Sequence, residues 1–202
     1  MKQRRSHPRM RPKARAEKYL DRAGELYGFS DDSNPALLRE ALITAKKSLL
    51  LDPQNYETLV LLGNIYSNFD DPKSTAQALR YYDQAIALRP ESPDAYGAKA
   101  SLLMYWLHEP EEAERLARKA LALSERTGEA LESLEHELSV VALEFSYATL
   151  IDILIGRKKY AQAQWLIRKS LRDCPSEFMR GMVEQPLKEI ESSGRLKHNG
   201  TP

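Results

Sequence analysis

The feature that most constrains the fold is a pattern of small and large residues at helical spacing over residues 52–90. The first half of this segment places one face of a helix at Leu59, Leu62, Gly63 and Tyr66. The second half does the same at Ala78, Tyr82 and Ala85, and Pro90 follows. Gly63 and Ala78 are small enough for two helices to approach closely, with Tyr66 and Tyr82 filling the space beside them. The pattern therefore predicts a tightly packed pair of helices.

This segment resembles the tetratricopeptide repeat, a helix–turn–helix unit of about 34 residues. The places of the repeat signature are filled by Leu59, Leu62, Gly63, Tyr66, Ala78, Tyr82, Ala85 and Pro90. The resemblance implies an all-α fold, a right-handed α-α superhelix (a solenoid) of about four helix–turn–helix units with a C-terminal capping helix. In this family the first helix of each pair lines a concave groove that holds extended peptides or helices.

Looser copies of the unit flank the central one. The alanine of the second helix recurs at Ala41, Ala78, Ala113 and Ala163, and the last spacing is much the longest. We expect a basic disordered arm over 1–14, a helical array over 15–192 and a disordered tail over 193–202. The array divides into units at about 15–53, 54–90, 91–126 and 127–175, with a cap over 176–192.

Several helix boundaries follow from local residue types. Asn34 followed by Pro35 predicts an N-cap and a first helical residue, and Pro110 predicts another helix start. The long spacing before Ala163 predicts an extended helix from about 130 to 155, whose first half overhangs the array and whose apolar second half is buried on most sides. We also expect the capping helix to be interrupted near Pro186.

The alignment with the repeat places a candidate partner-binding groove on the first helices. In the second unit its positions are Glu57, Val60, Asn64, Ser67 and Asn68. In the third unit they are Asp94, Ser101, Met104 and Tyr105, and Phe145, Thr149 and Asp152 of the fourth unit are expected to join them. Asn64 follows the signature glycine, where many family members carry an asparagine that bonds the ligand backbone. An amide side chain suits this role because it both donates and accepts hydrogen bonds.

One type of ligand is disfavoured. Family members that grip acidic C-termini use Lys, Arg and Asn at inner positions, and here only Asn64 matches. The other clamp places are occupied by Leu20, Val60, Gly97 and Ala98, and two carboxylates, Glu57 and Asp94, lie on the same face. We therefore expect a neutral or basic peptide or helix of another protein as the partner.

No pattern in the sequence indicates catalysis, a cofactor or a metal. The four histidines are scattered, and no Gly-rich phosphate loop or nucleophile elbow is present. Cys174 is the single cysteine and has no obvious histidine partner. No apolar run reaches the roughly 20 residues of a membrane span, and the start lacks a secretory signal. With one cysteine, a reducing compartment is the natural expectation, and we expect a cytoplasmic, non-enzymatic scaffold or adaptor.

The charge is unevenly distributed. Residues 1–18 carry eight Lys and Arg against Glu17 alone, which leaves the rest of the chain at −6 for a total of +1. A solvated, disordered terminus accounts for such an arm. The alternatives are contact with nucleic acid or ribonucleoprotein, an anionic membrane surface or an acidic protein, or a mitochondrial presequence. Self-association through the extended helix or the cap is also open.

Overall fold

The computed structural model describes residues 11–30, 34–130 and 135–192, with backbone only for 127–130, 135–142 and 192. These residues form nine helices and no strand: α1 (Pro12–Gly28), α2 (Pro35–Leu51), α3 (Tyr56–Ser67), α4 (Pro72–Leu88), α5 (Asp94–Tyr105), α6 (Pro110–Ala130), α7 (Glu135–Gly156), α8 (Tyr160–Asp173) and α9 (Glu177–Ser192). The expected all-α class is confirmed. The chain divides into two compact units, Met1–Leu88 and Arg89–Pro202.

The first unit consists of two helical hairpins, α1 with α2 and α3 with α4. Close packing of α1 and α2 is possible because their contact faces carry fully buried alanines, among them Ala16, Ala23, Ala41 and Ala45. A buried hydroxyl joins the hairpins. The Oγ of Ser48 donates to the Ala16 carbonyl at 2.8 Å and lies 3.0 Å from the Thr58 hydroxyl. Ser48 of α2 thus contacts both α1 and α3.

The tightest contact of the first unit is at Gly63. A Cβ added there would stand 2.3 Å from Cε1 of Tyr82, closer than any real carbon contact. The Tyr82 ring is 1% exposed, and its hydroxyl donates to Oδ1 of Asn64 at 2.9 Å. The close approach expected from the small residues of the central segment is therefore present between α3 and α4.

The second unit consists of the hairpins α5 with α6 and α7 with α8, and α9 packs against α7 and α8. As its composition predicts, the described part of α7 is buried on most sides, including Leu150, Ile151, Ile153 and Leu154. This helix forms the centre of the unit because α5, α6, α8 and α9 all contact it.

Buried ion pairs connect α6 to the turn between α7 and α8. The carboxylate of Glu114 lies 2.5 Å from Nη1 of Arg157, 2.7 Å from Nζ of Lys159 and 2.8 Å from Nη2 of Arg118. Burial alone would raise the pKa of Glu114. Hydrogen bonds from Lys159 and Arg118 outweigh burial and hold the pKa below its ordinary value. Glu114 therefore stays ionised at neutral pH.

Prolines set several helix starts. α1, α2, α4 and α6 each begin at a proline, which has no N–H to leave unsatisfied in the first turn. The predicted starts at Pro35 and Pro110 are confirmed, with Asn34 at the N-cap of α2. α1 begins at Pro12, so three residues of the expected arm are helical. Asn55 caps α3, its Oδ1 accepting from the Thr58 amide at 2.7 Å.

One sequence expectation about the helices is wrong. α9 runs from Glu177 through Pro186 to Ser192 without interruption. A proline removes only one amide donor, and contacts of α9 with α7 and α8 hold the helix across this gap. Of the extended helix expected over about 130–155, the structure describes α7 from Glu135 to Gly156, and residues 131–134 lie outside the described ranges. The first half of this helix, which was expected to overhang the array, consists of residues whose side chains are not described.

Candidate functional site

The groove positions predicted on α3 all lie in the first unit, and several are engaged within it. Ser67 and Asn68 donate to the carbonyl oxygen of Asn64, both at 2.8 Å, where the helix ends. The Nδ2 of Asn68 also lies 3.1 Å from the hydroxyl of Tyr27 on α1. These polar side chains therefore close the end of α3 and connect it to α1.

Asn64 is held by the hydrogen bond from Tyr82 to its Oδ1. The predicted bond to a ligand backbone would then come from the Nδ2 amide as a donor. Glu57 is exposed at the start of the same helix, and Val60 is half-buried. The polar side chains at the end of α3 are thus largely engaged within the first unit.

The groove positions predicted on α5 lie in the second unit. Asp94 is exposed and Ser101 half-buried. Met104 is packed against the end of α7, because a Cβ added at Gly156 would stand 2.3 Å from its Cε. Tyr105 is 54% exposed, and its hydroxyl bonds the carboxylate of Asp152 on α7. Burial and the Asp152 charge raise the pKa of Tyr105 to about 12, so the phenol stays protonated.

Phe145 and Asp152 lie two turns apart on the exposed side of α7, with half-buried Thr149 between them. The Phe145 ring is 54% exposed and packs at 5.3 Å, tilted by 56°, against Phe178 of α9. Met182, one turn after Phe178, is also exposed. Two contacts thus join three neighbouring helices, Tyr105 with Asp152 and Phe145 with Phe178. We call the exposed and half-buried residues around them the inner face of the second unit: Ser101, Tyr105, Phe145, Thr149, Asp152, Phe178 and Met182.

A scan against protein-family models found no match. One curated relative, the formate-dependent nitrite reductase complex subunit NrfG of Escherichia coli O157:H7, is 31% identical over 141 residues. That match covers 69% of this chain and 66% of the relative, slightly under two thirds of its length. Among solved structures, Pseudomonas aeruginosa pilF matches 93% of this chain and 79% of its own at a TM-score of 0.59 and 15% identity. The MamA protein matches 93% and 97% at a TM-score of 0.54 and 17% identity.

All three are proteins of the tetratricopeptide-repeat type, and the helical hairpins of this chain follow the same pattern. The chain has the fold of a tetratricopeptide-repeat protein. In its central repeat, α3 with α4, most signature residues are buried. Tyr66 is half-buried, and Pro90 is exposed in the turn after α4. The other repeats keep the small residues, such as Ala113 and Ala163, but vary the large ones.

Sequence reasoning about this tetratricopeptide-repeat chain missed Phe178 and Met182. The signal was available in α9, whose apolar residues are two adjacent stripes. Met179, Val183 and Ile190 are buried, whereas Phe178 and Met182 are 42% exposed. A capping helix needs only one apolar stripe to close the array, so the second stripe marks a surface in its own right.

Two side chains of the second unit, Cys174 and Lys169, are of types that can act as nucleophiles. Cys174 is buried, and burial together with the charges of Glu144 and Asp173 raises the pKa of its thiol to about 11. Burial would lower the pKa of Lys169, but hydrogen bonds to Glu125, Tyr147 and Asp173 outweigh it and raise the pKa. The thiol thus stays protonated and the amine charged at neutral pH, and neither state is nucleophilic.

Among the described residues, no group of three or more His, Cys, Asp and Glu side chains is placed to hold a metal ion. Within the same ranges, no helix is both long and apolar enough to cross a membrane.

Proposed function

We propose that this chain is a non-enzymatic adaptor that holds a peptide or helix of a partner protein on the inner face of the second unit. The observation that carries the proposal is the exposure of Tyr105, Phe145, Phe178 and Met182 on neighbouring helices. Large contiguous apolar patches are uncommon on monomers and usually mark interaction surfaces, and aromatic residues are frequent anchors there.

The charge of this face favours a neutral or basic partner. Asp152 lies beside Tyr105, and packing of the surrounding side chains raises the pKa of Asp152, with the Tyr105 hydrogen bond opposing that shift. A Lys or Arg of a ligand would supply a counter-charge to this carboxylate. The likeness to NrfG, which is named as a subunit of an enzyme complex, supports a role within a multi-protein assembly.

Affinity capture from the native cell tests the proposal. Tyr105→Ala combined with Phe145→Ala should lose the partner, since truncating anchor residues commonly weakens binding by about tenfold or more. Phe29→Ala is the matched control, because Phe29 is 76% exposed but lies on the first unit. Equal recovery of the same partner by the double variant and the wild type would contradict the inner-face proposal. Asn64→Ala is less suitable, because it also removes the acceptor of the buried Tyr82 hydroxyl.

The nucleic-acid alternative depends on the basic arm and stays a prediction. Residues 1–10 lie outside the described part of the chain, while Arg11, Lys13, Arg15 and Lys18 are exposed on or just before α1. The appropriate deletion is 1–10, because α1 begins at Pro12 and Ala16 accepts the Ser48 bond. RNA or DNA affinity that is unchanged by this deletion at low salt would remove the alternative.

A further inference from the structure

A second candidate surface lies in the second unit between α6 and α8. It is a surface groove of about 470 Å³, which we call the outer groove, lined by Arg118, Leu154, Ala161, Gln162, Trp165 and Leu166. It shares no residue with the inner face. Its floor is apolar, because Leu154 and Leu166 are buried in the unit.

Trp165 forms an exposed wall of this groove. α8 buries Ala163, Leu166, Ile167 and Ser170, and at 100° per residue Trp165 points almost directly away from them. Its side chain is 63% exposed, so folding of the described chain leaves most of the indole in water. Tryptophan is enriched at interfaces because it buries a large apolar area while its N–H finds a polar partner.

The surroundings of the outer groove are cationic. α8 carries Arg168 and Arg172, and Arg157, Lys158 and Lys159 precede it. Asp173 pairs with Arg172, while Lys169 is engaged with Glu125 and Asp173. On the opposite wall the guanidinium of Arg118 donates to Oε1 of Gln162 at 2.9 Å, and it shares the Glu114 carboxylate with Arg157 and Lys159. Glu111 also pairs with Arg157, so two carboxylates face three cations, and the remaining positive charge leaves attraction for a further anion.

We infer that the outer groove docks an acidic protein segment, with an apolar side chain between Trp165 and the Leu154–Leu166 floor and a flanking carboxylate against Arg118 or Arg168. The charge is complementary to an acid, and the concave apolar floor fits a side chain. A phosphate backbone fits less well, because Glu111 and Glu114 interrupt the cationic surface that a nucleic acid would follow. This ligand differs in charge from the one proposed for the inner face, so the chain would join two partners.

The two tryptophans of the chain give a direct test. In a Trp106→Phe background, Trp165 is the only indole, and its fluorescence reports the outer groove. A random peptide-display library is selected on the full chain, and the enriched peptides are synthesised and titrated. We expect peptides that place an aromatic or aliphatic residue beside Asp or Glu. Binding should shift the Trp165 emission to shorter wavelength and protect it from quenching, and salt should weaken the binding.

Trp165→Ala should weaken these peptides by about tenfold or more, and Arg168→Glu should weaken them while leaving the circular dichroism unchanged. Phe145→Ala, on the inner face, should leave their affinity as in the wild type. Enriched peptides without acidic residues, no enrichment over a Trp165→Ala target, or a Trp165 response only to oligouridine RNA or to phosphatidylserine vesicles would each overturn the inference. Because Phe145→Ala and Trp165→Ala act on different faces, failure here is distinguishable from failure of the adaptor proposal.

Discussion

At the scale of single residues, the contact between Gly63 and Tyr82 holds the central repeat together. Gly63→Ala would place a methyl group 2.3 Å from a ring that is buried and hydrogen-bonded, and so cannot move aside cheaply. We expect the free energy of unfolding to fall by about 1–3 kcal/mol in urea denaturation.

Gly24→Ala is the matched control for this substitution. Gly24 also lies inside a helix, but no heavy atom is within 4 Å of its added Cβ. We expect this variant to gain up to about 1 kcal/mol from helix propensity alone. If Gly63→Ala were neutral or stabilising like the control, the close contact of α3 and α4 would be absent.

Glu114 is the residue whose charge matters most to the second unit, because three cations surround it. Glu114→Gln should lower the free energy of unfolding by about 2–3 kcal/mol near pH 7, since the cations lose their partner. Its folded pKa lies below the ordinary 4.5, so its contribution is present above that pH and is lost as pH falls through the folded pKa. The difference from the wild type should therefore shrink in acid.

Glu112→Gln serves as the control for Glu114→Gln. Glu112 pairs with Arg115 on the exposed side of the same helix, and surface pairs contribute less than about 1 kcal/mol. Equal losses for the two variants, or a Glu114 effect independent of pH, would contradict the buried-pair account.

The single thiol gives a chemical test at the same scale. Because Cys174 is 3% exposed and its pKa is raised to about 11, it should react with iodoacetamide at pH 8 only after urea unfolds the chain. Alkylation followed by mass measurement checks this. Rapid modification of the folded chain would reopen a catalytic or redox role.

At the scale of elements, the sequence predicts those structural features that depend on residues close together along the chain. Helix starts at Pro35 and Pro110 and the buried side of α7 follow from local residue types and periodicity. The uninterrupted course of α9 through Pro186 does not, because it depends on contacts of α9 with α7 and α8. The second apolar stripe of α9 is visible in the sequence, but the contact of Phe178 with Phe145, 33 positions earlier, exists only in the folded unit.

The prediction at this scale concerns the replacement of Pro186. Inside α9 it leaves one carbonyl without its helical donor, and an alanine would restore that bond. We expect Pro186→Ala to stabilise the chain, by up to about 3 kcal/mol, and to slow amide exchange in α9. An unchanged or lower Tm would mean that the helix is adapted to its proline.

At the scale of the whole molecule, the chain is a repeat protein for which we propose two binding faces of different chemistry, both in the second unit. The repeat fold follows from the helical hairpins and the central signature, whereas the partner does not, because the same helical hairpins carry unrelated ligands on their variable surface positions.

The most direct measurement is site-specific photo-crosslinking in the native cell, with a photoreactive phenylalanine analogue placed at one position at a time. The account predicts that the analogue at Phe145 or Phe178 captures the same partner, while the analogue at Phe29 captures none of it. Capture of that partner from Phe29 but from neither position of the inner face would contradict the account.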